Sequence, residues 1–384
     1  MPPDLLNATH DPYAALRYPE FRALIIGTFL TEAAQMIQEV VLGYELYRIT
    51  HDPLSLGLIG LAEAVPFISL ALFGGHLADR RDKRTLMQQS LFIIMLGSAV
   101  LVWATLPATR EHLSRFTMLC IIYGALAMLG LARGIYSPAA SSLKAFLVPR
   151  EHYGNSSTWS STFWQAGAIV GPVCAGFLYA GFGFTGALLT VIGLFGANLL
   201  LLYRIACRPV VPQPEHAENI WHSLHEGLKY VFGTRIILYA VSLDMFSVLF
   251  GGVLAILPVF AQDILKVGAE GLGILRAAPA VGAMLTILFC TYVPPLGKPW
   301  RNLLLAVLGF GVATLVFGFS RNFWLSAVAL FCTGAFDSVS VVIRQTIMQV
   351  MPADHMRGRV AAVNSIFISS SNELGAFESG SAAR

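Results

Sequence analysis

The sequence predicts an all-α, multi-pass membrane fold, and three observations carry that prediction. Of 384 residues, 56% are hydrophobic and only 12% are charged, where a soluble domain carries roughly 25% charge. The apolar residues gather into runs long enough to span a bilayer. Lys and Arg concentrate in alternate connections between those runs.

Composition already excludes several classes. A soluble chain of this length cannot hide so much apolar surface. The net charge of +3 is small, and the basic residues lie between apolar runs rather than in one patch. Nucleic acid is therefore not an expected partner. Cys120, Cys174, Cys207, Cys290 and Cys332 are far apart, form no CxxC pair and have no His at ligand spacing. They read as small buried apolar side chains, and neither metal nor cofactor is expected. The first ~20 residues are polar and Pro-rich, and the first apolar run is too long for a signal peptide.

A helix needs about 20 apolar residues to cross a ~30 Å hydrocarbon core. Eleven runs qualify, at about 21–47, 55–78, 85–106, 116–146, 156–180, 183–206, 235–262, 269–293, 301–319, 323–350 and 358–380. The last is polar, with Asn364, Ser365, Ser369, Ser370, Ser371, Asn372 and Glu373. Gly181-Phe182-Gly183 makes the fifth and sixth runs a tight hairpin or one bent segment. With the N-terminus cytoplasmic, 16 Lys/Arg fall inside and 5 outside, which supports that orientation. The Pro-rich stretch 207–234 divides an N-terminal six-helix bundle (1–206) from a C-terminal bundle (235–384). Its second half reads as a short amphipathic helix on the membrane surface.

The halves echo each other. Pro149, Glu151 and His152 recur as Pro352, Asp354 and His355, a shift of 203. Leu56-Gly57 in the second run matches Leu272-Gly273 in the eighth. Parallel repeats of this kind place a binding site near mid-bilayer between the halves.

Three motifs bear on function. The loop after the second run reads Gly75-His76-Leu77-Ala78-Asp79-Arg80-Arg81-Asp82-Lys83-Arg84. It resembles the G-x-x-x-D-R-x-G-R-R/K signature of the major facilitator superfamily at Gly75, Asp79, Arg80, Lys83 and Arg84, with Asp82 in place of Gly. The resemblance implies a clasp that joins the halves and favours the outward-open state, with its partner near Arg357, Gly358 and Arg359. The alternative is a plain positive-inside loop. Arg133 in Gly130-Leu131-Ala132-Arg133-Gly134 resembles the family's fourth-helix Arg motif, and an Arg at this depth needs a partner or a wet cavity. Gly167, Gly171, Pro172 and Gly176 allow close helix approach and a kink. They resemble the exporters' G-x-x-x-G-P-x-x-x-G, which favours export over import. Helix packing and an antiport role both remain open for them.

The stretches Val339–Thr346, Met356–Val360 and Ser371–Gly380 look like the enterobactin-exporter-like branch of the same superfamily. The resemblance runs in outline from about residue 20 to 380. It implies the MFS fold, an all-α membrane protein of two parallel six-helix repeats acting as a monomer. Family members continue through a twelfth helix, whereas this chain ends at Arg384. The expectation is therefore an incomplete second repeat with about 11 transmembrane helices.

Ionisable residues at membrane depth are the best site candidates. Glu32, Gln35 and Glu39 are spaced by 3, 4 and 7, on one face of the first helix. Glu63 lies in the second run, Asp244 in the seventh and Arg276 in the eighth. Asp337 and Arg344, 7 apart, share a face of the tenth. In the family the first, fourth, seventh and tenth helices line the central cavity, so Glu32, Glu39, Arg133, Asp244, Asp337 and Arg344 are expected to reach it. Tyr136, Trp159, Trp164, Phe246 and Phe336 are further cavity candidates. A desolvated carboxylate favours its neutral form and an approaching guanidinium reverses that preference, so such a pair can load and release a proton. Glu39 with Arg133 is the expected pair; a static ion pair that fixes helix packing is the alternative.

The function expected is proton-coupled efflux of a small amphipathic molecule, siderophore-like or drug-like. Its partners are that substrate, protons and the lipid bilayer of a bacterial inner membrane. The alternatives are a solute importer or facilitator, and a non-transporting truncated protein. The chain has no HExxH, GxSxG, Walker loop or CxxCH, so an enzyme is not expected.

Overall fold

A computed structural model describes residues 13–106, 109, 112–206, 220–250, 252–293, 295, 297–352 and 354–383. Parts of several helices are described by backbone alone. The described residues fold into a helical bundle. Helix α1 (Pro19–Thr50) opens on proline, whose missing N–H costs nothing in a first turn. Helix α2 (Pro53–Arg80) starts at Asp52, whose carboxylate accepts from Leu54 N at 3.2 Å. Helix α3 (Lys83–Thr105) is capped by Asp82 and α4 (Arg115–Leu147) by Ser114. Helix α5 (Tyr153–Leu202) is two limbs joined at Gly183, where φ is 66°, a left-handed backbone that glycine adopts at no steric cost.

The bend at Gly183 makes a hairpin. Both limbs lie along α1, with Gly167 of the first and Asn198 of the second each packed against it. The ends of α5 return to one end of α1, where Asn155 Oδ1 accepts from Ala15 N and Glu20 Oε1 from Ala206 N. The fifth and sixth apolar runs are thus two passes.

The second half begins with α6 (Ile220–Gly233), at the place expected for a surface helix; residues 207–219 lie outside the described residues. It continues with α7 (Arg235–Phe250), α8 (Gly268–Tyr292), α9 (Pro299–Phe319), α10 (Phe323–Val350) and α11 (Asp354–Ala382). Eight described helices are long and apolar enough to cross a membrane. One of them is α5, with its two passes. Only 22% of the apolar window of α9 is buried, so most of its Leu and Phe side chains face outward, as lipid contact requires.

One expectation fails here. The seventh run does not form a single helix over 235–262. Helix is described to Phe250, Gly252 is non-helical, and the chain continues as a 3-10 turn (Val253–Ile256) and a single α turn (Leu257–Val259), then ends in a π turn (Phe260–Ile264). The cause is legible in Gly251-Gly252 and Pro258. The glycines weaken the helix, and Pro258 has no N–H to give the Leu254 carbonyl four residues back.

Between the halves, α2 packs on α11 and the first limb of α5 on α8. Advancing each span by six positions turns the second–eleventh contact into the eighth–fifth contact, as two parallel repeats about a pseudo-twofold require.

Candidate functional site

A cavity of about 790 Å³ lies between the two halves, within the ~300–1,000 Å³ of small-molecule sites. It draws on more helices than expected. Besides α1, α4, α10 and the broken seventh span, it is lined by α2 (Glu63, Phe67), α5 (Trp164), α8 (Leu272, Arg276, Pro279), α9 (Phe310, Phe317) and α11 (Asn372, Ala376).

Glu32, Gln35 and Glu39 line it together, three side chains on one face of α1. Arg133 and Asp337 also line it. Arg344 is 4% exposed and outside the lining, two turns along α10 from Asp337. The side chain of Asp244 lies outside the described residues. Of the aromatic candidates, Tyr136 and Trp164 face the cavity. Trp159 instead stacks between Tyr13 and Phe163, and Phe336 covers Gly309 of α9. Phe246 is half-exposed and outside the lining.

The expected pairing of Glu39 with Arg133 does not form. Arg133 donates to Glu63 of α2, and Glu39 accepts from Arg276 of α8. Geometry explains the exchange. Gly130 of α4 lies against the Glu63 backbone, so the two helices touch and Arg133, less than one turn on, meets the Glu63 side chain. Arg276 is held from its other side, because Nη1 donates at 2.9 Å to the Leu254 carbonyl. That is the carbonyl which Pro258 leaves without its helical partner.

Sequence reasoning noted Glu63 and Arg276 as charges at membrane depth and left both out of the site. Two signals point to them. Each is ionisable in an apolar run, and a proline four residues after Leu254 frees an acceptor there.

A buried polar knot supports the α1 face from behind. Asn198 Nδ2 donates to Thr31 Oγ1 at 2.7 Å and to Tyr136 Oη at 3.0 Å. Glu32, 8% exposed, and Trp164 both line the cavity. Gly167 and Gly171 let α5 approach this stretch of α1: a Cβ on Gly167 would stand 2.7 Å from Glu32 Cβ, and one on Gly171 2.6 Å from Met36 Cβ. Further along, a Cβ on Gly176 would stand 2.6 Å from the Ala269 carbonyl of α8, and Gly273 of α8 meets the Pro172 carbonyl. The four motif residues thus lie at contacts of α5 with α1 and α8.

The cavity is closed at the end where α1 stops and α2 starts. Tyr47 donates to Asp263 of the π turn, and Gln262 Nε2 to the Tyr44 carbonyl at 3.0 Å. Alongside, Gly57 of α2 approaches Phe377 of α11 so closely that a Cβ would stand 3.0 Å from its Cα. The cross-half links Tyr47–Asp263, Gln262–Tyr44, Glu39–Arg276 and Gln165–Ala280 all lie at this end or at mid-depth.

At the opposite end sits the Gly75–Arg84 motif, which spans the end of α2, the two-residue link Arg81-Asp82 and the start of α3. The side chains of Gly75, Asp79, Arg80, Arg357 and Arg359 lie outside the described residues. Lys83 Nζ lies 4.8 Å from the centre of the Phe146 ring and Arg84 stacks over Tyr203. Asp82 has a role that sequence reasoning missed. Its carboxylate accepts from Thr85 N at 2.8 Å and Thr85 Oγ1 at 2.7 Å, which caps α3 where the superfamily signature has glycine.

Two parallel helical repeats around a charged cavity at mid-depth define a membrane transport protein. The chain belongs to the Major Facilitator Superfamily, whose profile matches residues 24–376. It is 24% identical over 350 residues to the enterobactin exporter EntS of Shigella boydii serotype 18, covering 89% of this chain and 80% of that one. The EntS of Shigella flexneri is 25% identical over the same coverage. Among solved structures, the fold is similar to a bacterial homologue of the iron transporter ferroportin in its inward-facing state (TM-score 0.71, 14% identity, 94% of this chain and 91% of that one). It is likewise similar to the nucleoside transporter NupG (TM-score 0.72, 15% identity, 94% and 90%).

Proposed function

We propose that this transporter exports a small amphipathic molecule, siderophore-like or drug-like, in exchange for protons. Its setting is a bacterial inner membrane, with the N-terminus cytoplasmic and the protein a monomer. Residues 1–206 and 235–384 are the rocking halves, and the Gly75–Arg84 motif is their cytoplasmic clasp. In that orientation the closed end of the cavity faces outward, so the arrangement is the inward-facing one. Similarity to exporters named for enterobactin supports the direction.

The observation that carries the coupling is that Glu39 and Arg276 belong to different halves. Rocking moves α1 against α8, so this pair must break and reform in each cycle. Glu63 and Arg133 lie within one half and travel together; theirs is a static pair that fixes α2 to α4. The Glu39 side chain is 44% exposed to the cavity, so water and protons reach it. A proton on Glu39 removes its charge and frees Arg276, which lets the outer end part. Return of the guanidinium expels the proton.

The test uses proteoliposomes with an imposed pH gradient and a trapped pH-sensitive dye. Candidate amphipathic substrates should produce proton flux in the wild type, and Glu39→Gln should abolish it while Glu63→Gln, if folded, keeps coupling per substrate moved. Substrate movement with no proton flux would sink the coupling and leave facilitated diffusion.

A further inference from the structure

We infer that an anionic phospholipid binds where α7 and α9 start, with its phosphate among Lys229, Arg235, Lys298 and Arg301 and its acyl chains in the groove between the two helices. The cytoplasmic leaflet is assigned from the orientation proposed above; the site itself is independent of it. The charge pattern is one-sided. Residues 227–243 and 271–320 contain no Asp or Glu. Arg235 opens α7, Arg301 stands in the first turn of α9, Lys298 directly precedes α9 and Lys229 lies on α6. All four are exposed. Among the described residues none of the four forms an ion pair, not even Lys229 with Glu226 one turn before it.

Packing brings these cations to one place. Ala240 of α7 and Leu303 of α9 are buried in one cluster with Ile343 of α10. Arg235 and Arg301 precede those contacts by five and two residues, so both lie at the same end of the groove. Lys229 joins them because Thr234 alone separates α6 from α7, and Val231 of α6 is buried with Ile237 and Val241 of α7. Past the cations the groove is apolar and open. In the first half the second limb of α5 fills the equivalent place, with Asn198 against Gly27 of α1 and Gly196 beside Met95 of α3. No described helix does this for α7 and α9, and the apolar window of α9 is 22% buried against 44% for that of α3. Acyl chains can fill such a groove along Leu304 and Leu308, both exposed. Tyr239 and Trp300, also exposed, are side chains that favour the headgroup level. A basic cluster there recruits an anionic headgroup over a zwitterionic one.

The test places a bimane label on α9 in a background whose five native cysteines are serine. Leu304→Cys carries it beside Arg301, and Leu315→Cys carries it on the same face near the other end of the helix; both leucines are exposed. The purified full chain is embedded in nanodiscs of phosphatidylglycerol and phosphatidylcholine in equal parts, with one lipid or the other brominated on its acyl chains. A single basic side chain at the membrane surface favours an anionic lipid about fivefold. Quenching at position 304 should therefore report phosphatidylglycerol enriched about fivefold or more, and quenching at 315 near-equal lipids. Lys298→Gln with Arg301→Gln should lower the enrichment severalfold, and so should high salt. Equal quenching by the two lipids at 304, the same preference at 315, or an unchanged preference in the double variant would overturn the inference. So would absent quenching at 304 with disulfide-linked dimers of Leu304→Cys, which would give the groove to a second copy of the chain. Should the double variant not insert, the contrast between the two positions and its loss in high salt decide. The readout needs no transport: export with no lipid preference removes this inference alone, and lipid preference without export removes only the transport reading.

Discussion

Removal of one hydroxyl, Tyr47→Phe, should loosen the closed end of the cavity. Tyr47 is 5% exposed and donates to Asp263, an exposed carboxylate on the π turn of the opposite half. Phenylalanine fills the same space, so packing is kept and only the bond is lost. A hydrogen bond to a charged group contributes about 1.5–3 kcal/mol. Because Asp263 meets water, the lower value applies, about 1.5 kcal/mol, which is roughly tenfold in an equilibrium constant. The open-end population should rise by that factor. The assay is the rate at which an impermeant maleimide, added from the outer side, labels Leu56→Cys in a background whose five native cysteines are serine. Leu56 lines the cavity beside the closure and is 4% exposed. Labelling should quicken about tenfold in Tyr47→Phe, and about threefold in Asp263→Asn, which still accepts a neutral bond. Rates unchanged in both variants, or slowed, would refute the closure described here.

Other substitutions probe other joints. Gly171→Val drives a side chain into Met36 and Ala33 of α1, an overpacking that costs about 1–3 kcal/mol or more; thermal melts in detergent should drop by several degrees. Asn198→Leu leaves Thr31 and Tyr136 without their shared donor, at about 1–3 kcal/mol, with the same readout. Asp82→Ala removes the cap of α3 for about 1 kcal/mol. Asp82→Gly should cost less, so its melting temperature should fall between Asp82→Ala and the wild type. Pro258→Ala returns an N–H to the seventh span, which then competes with Arg276 for the Leu254 carbonyl. Transport should fall severalfold with expression unchanged, and normal transport would mean the break is not needed.

Helix number and order were readable because each pass must be about 20 residues long and apolar, a constraint set by the bilayer rather than by partners. The Gly183 hairpin was readable because glycine is the residue that its backbone demands. The three polar residues of the α1 face came together in the cavity because helical spacing alone places them. What sequence did not reveal were partners from other helices. Glu39 was matched to Arg133 by depth, yet depth does not specify azimuth. The contact of Gly130 with the Glu63 backbone turns Arg133 toward α2, and no periodicity reports that. The break in the seventh span was concealed by an unbroken apolar run, since hydropathy counts Gly251-Gly252 and Pro258 as tolerable in a membrane helix. The role of Asp82 was hidden because a family signature marks it as a departure, whereas a local rule, an acid at the start of a helix, explains it.

The broken seventh span and the cross-half ion pair are one device. An unbroken helix would satisfy Leu254 internally, and Arg276 would then have Glu39 alone. With Pro258 in place the carbonyl is open, and Arg276 bridges it to Glu39. The bridge therefore links α8, the seventh span and α1 at mid-depth, while the π turn six residues beyond Leu254 carries the Gln262 and Asp263 contacts to α1. A partly exposed pair of this kind contributes little net stability, because the desolvation of its charges offsets their attraction. That near balance suits a joint that must open. If Glu39 were fully buried against Arg276, separating them would cost several kcal/mol per cycle; open to the cavity, each charge finds water as the other leaves. Arg276→Lys tests the point. A lysine keeps the charge and can reach Glu39 or the Leu254 carbonyl, but it lacks the planar fork that holds both. Proton flux per substrate should become leaky in Arg276→Lys and vanish in Arg276→Gln. Tight coupling in both would show that the bridge is not part of the cycle.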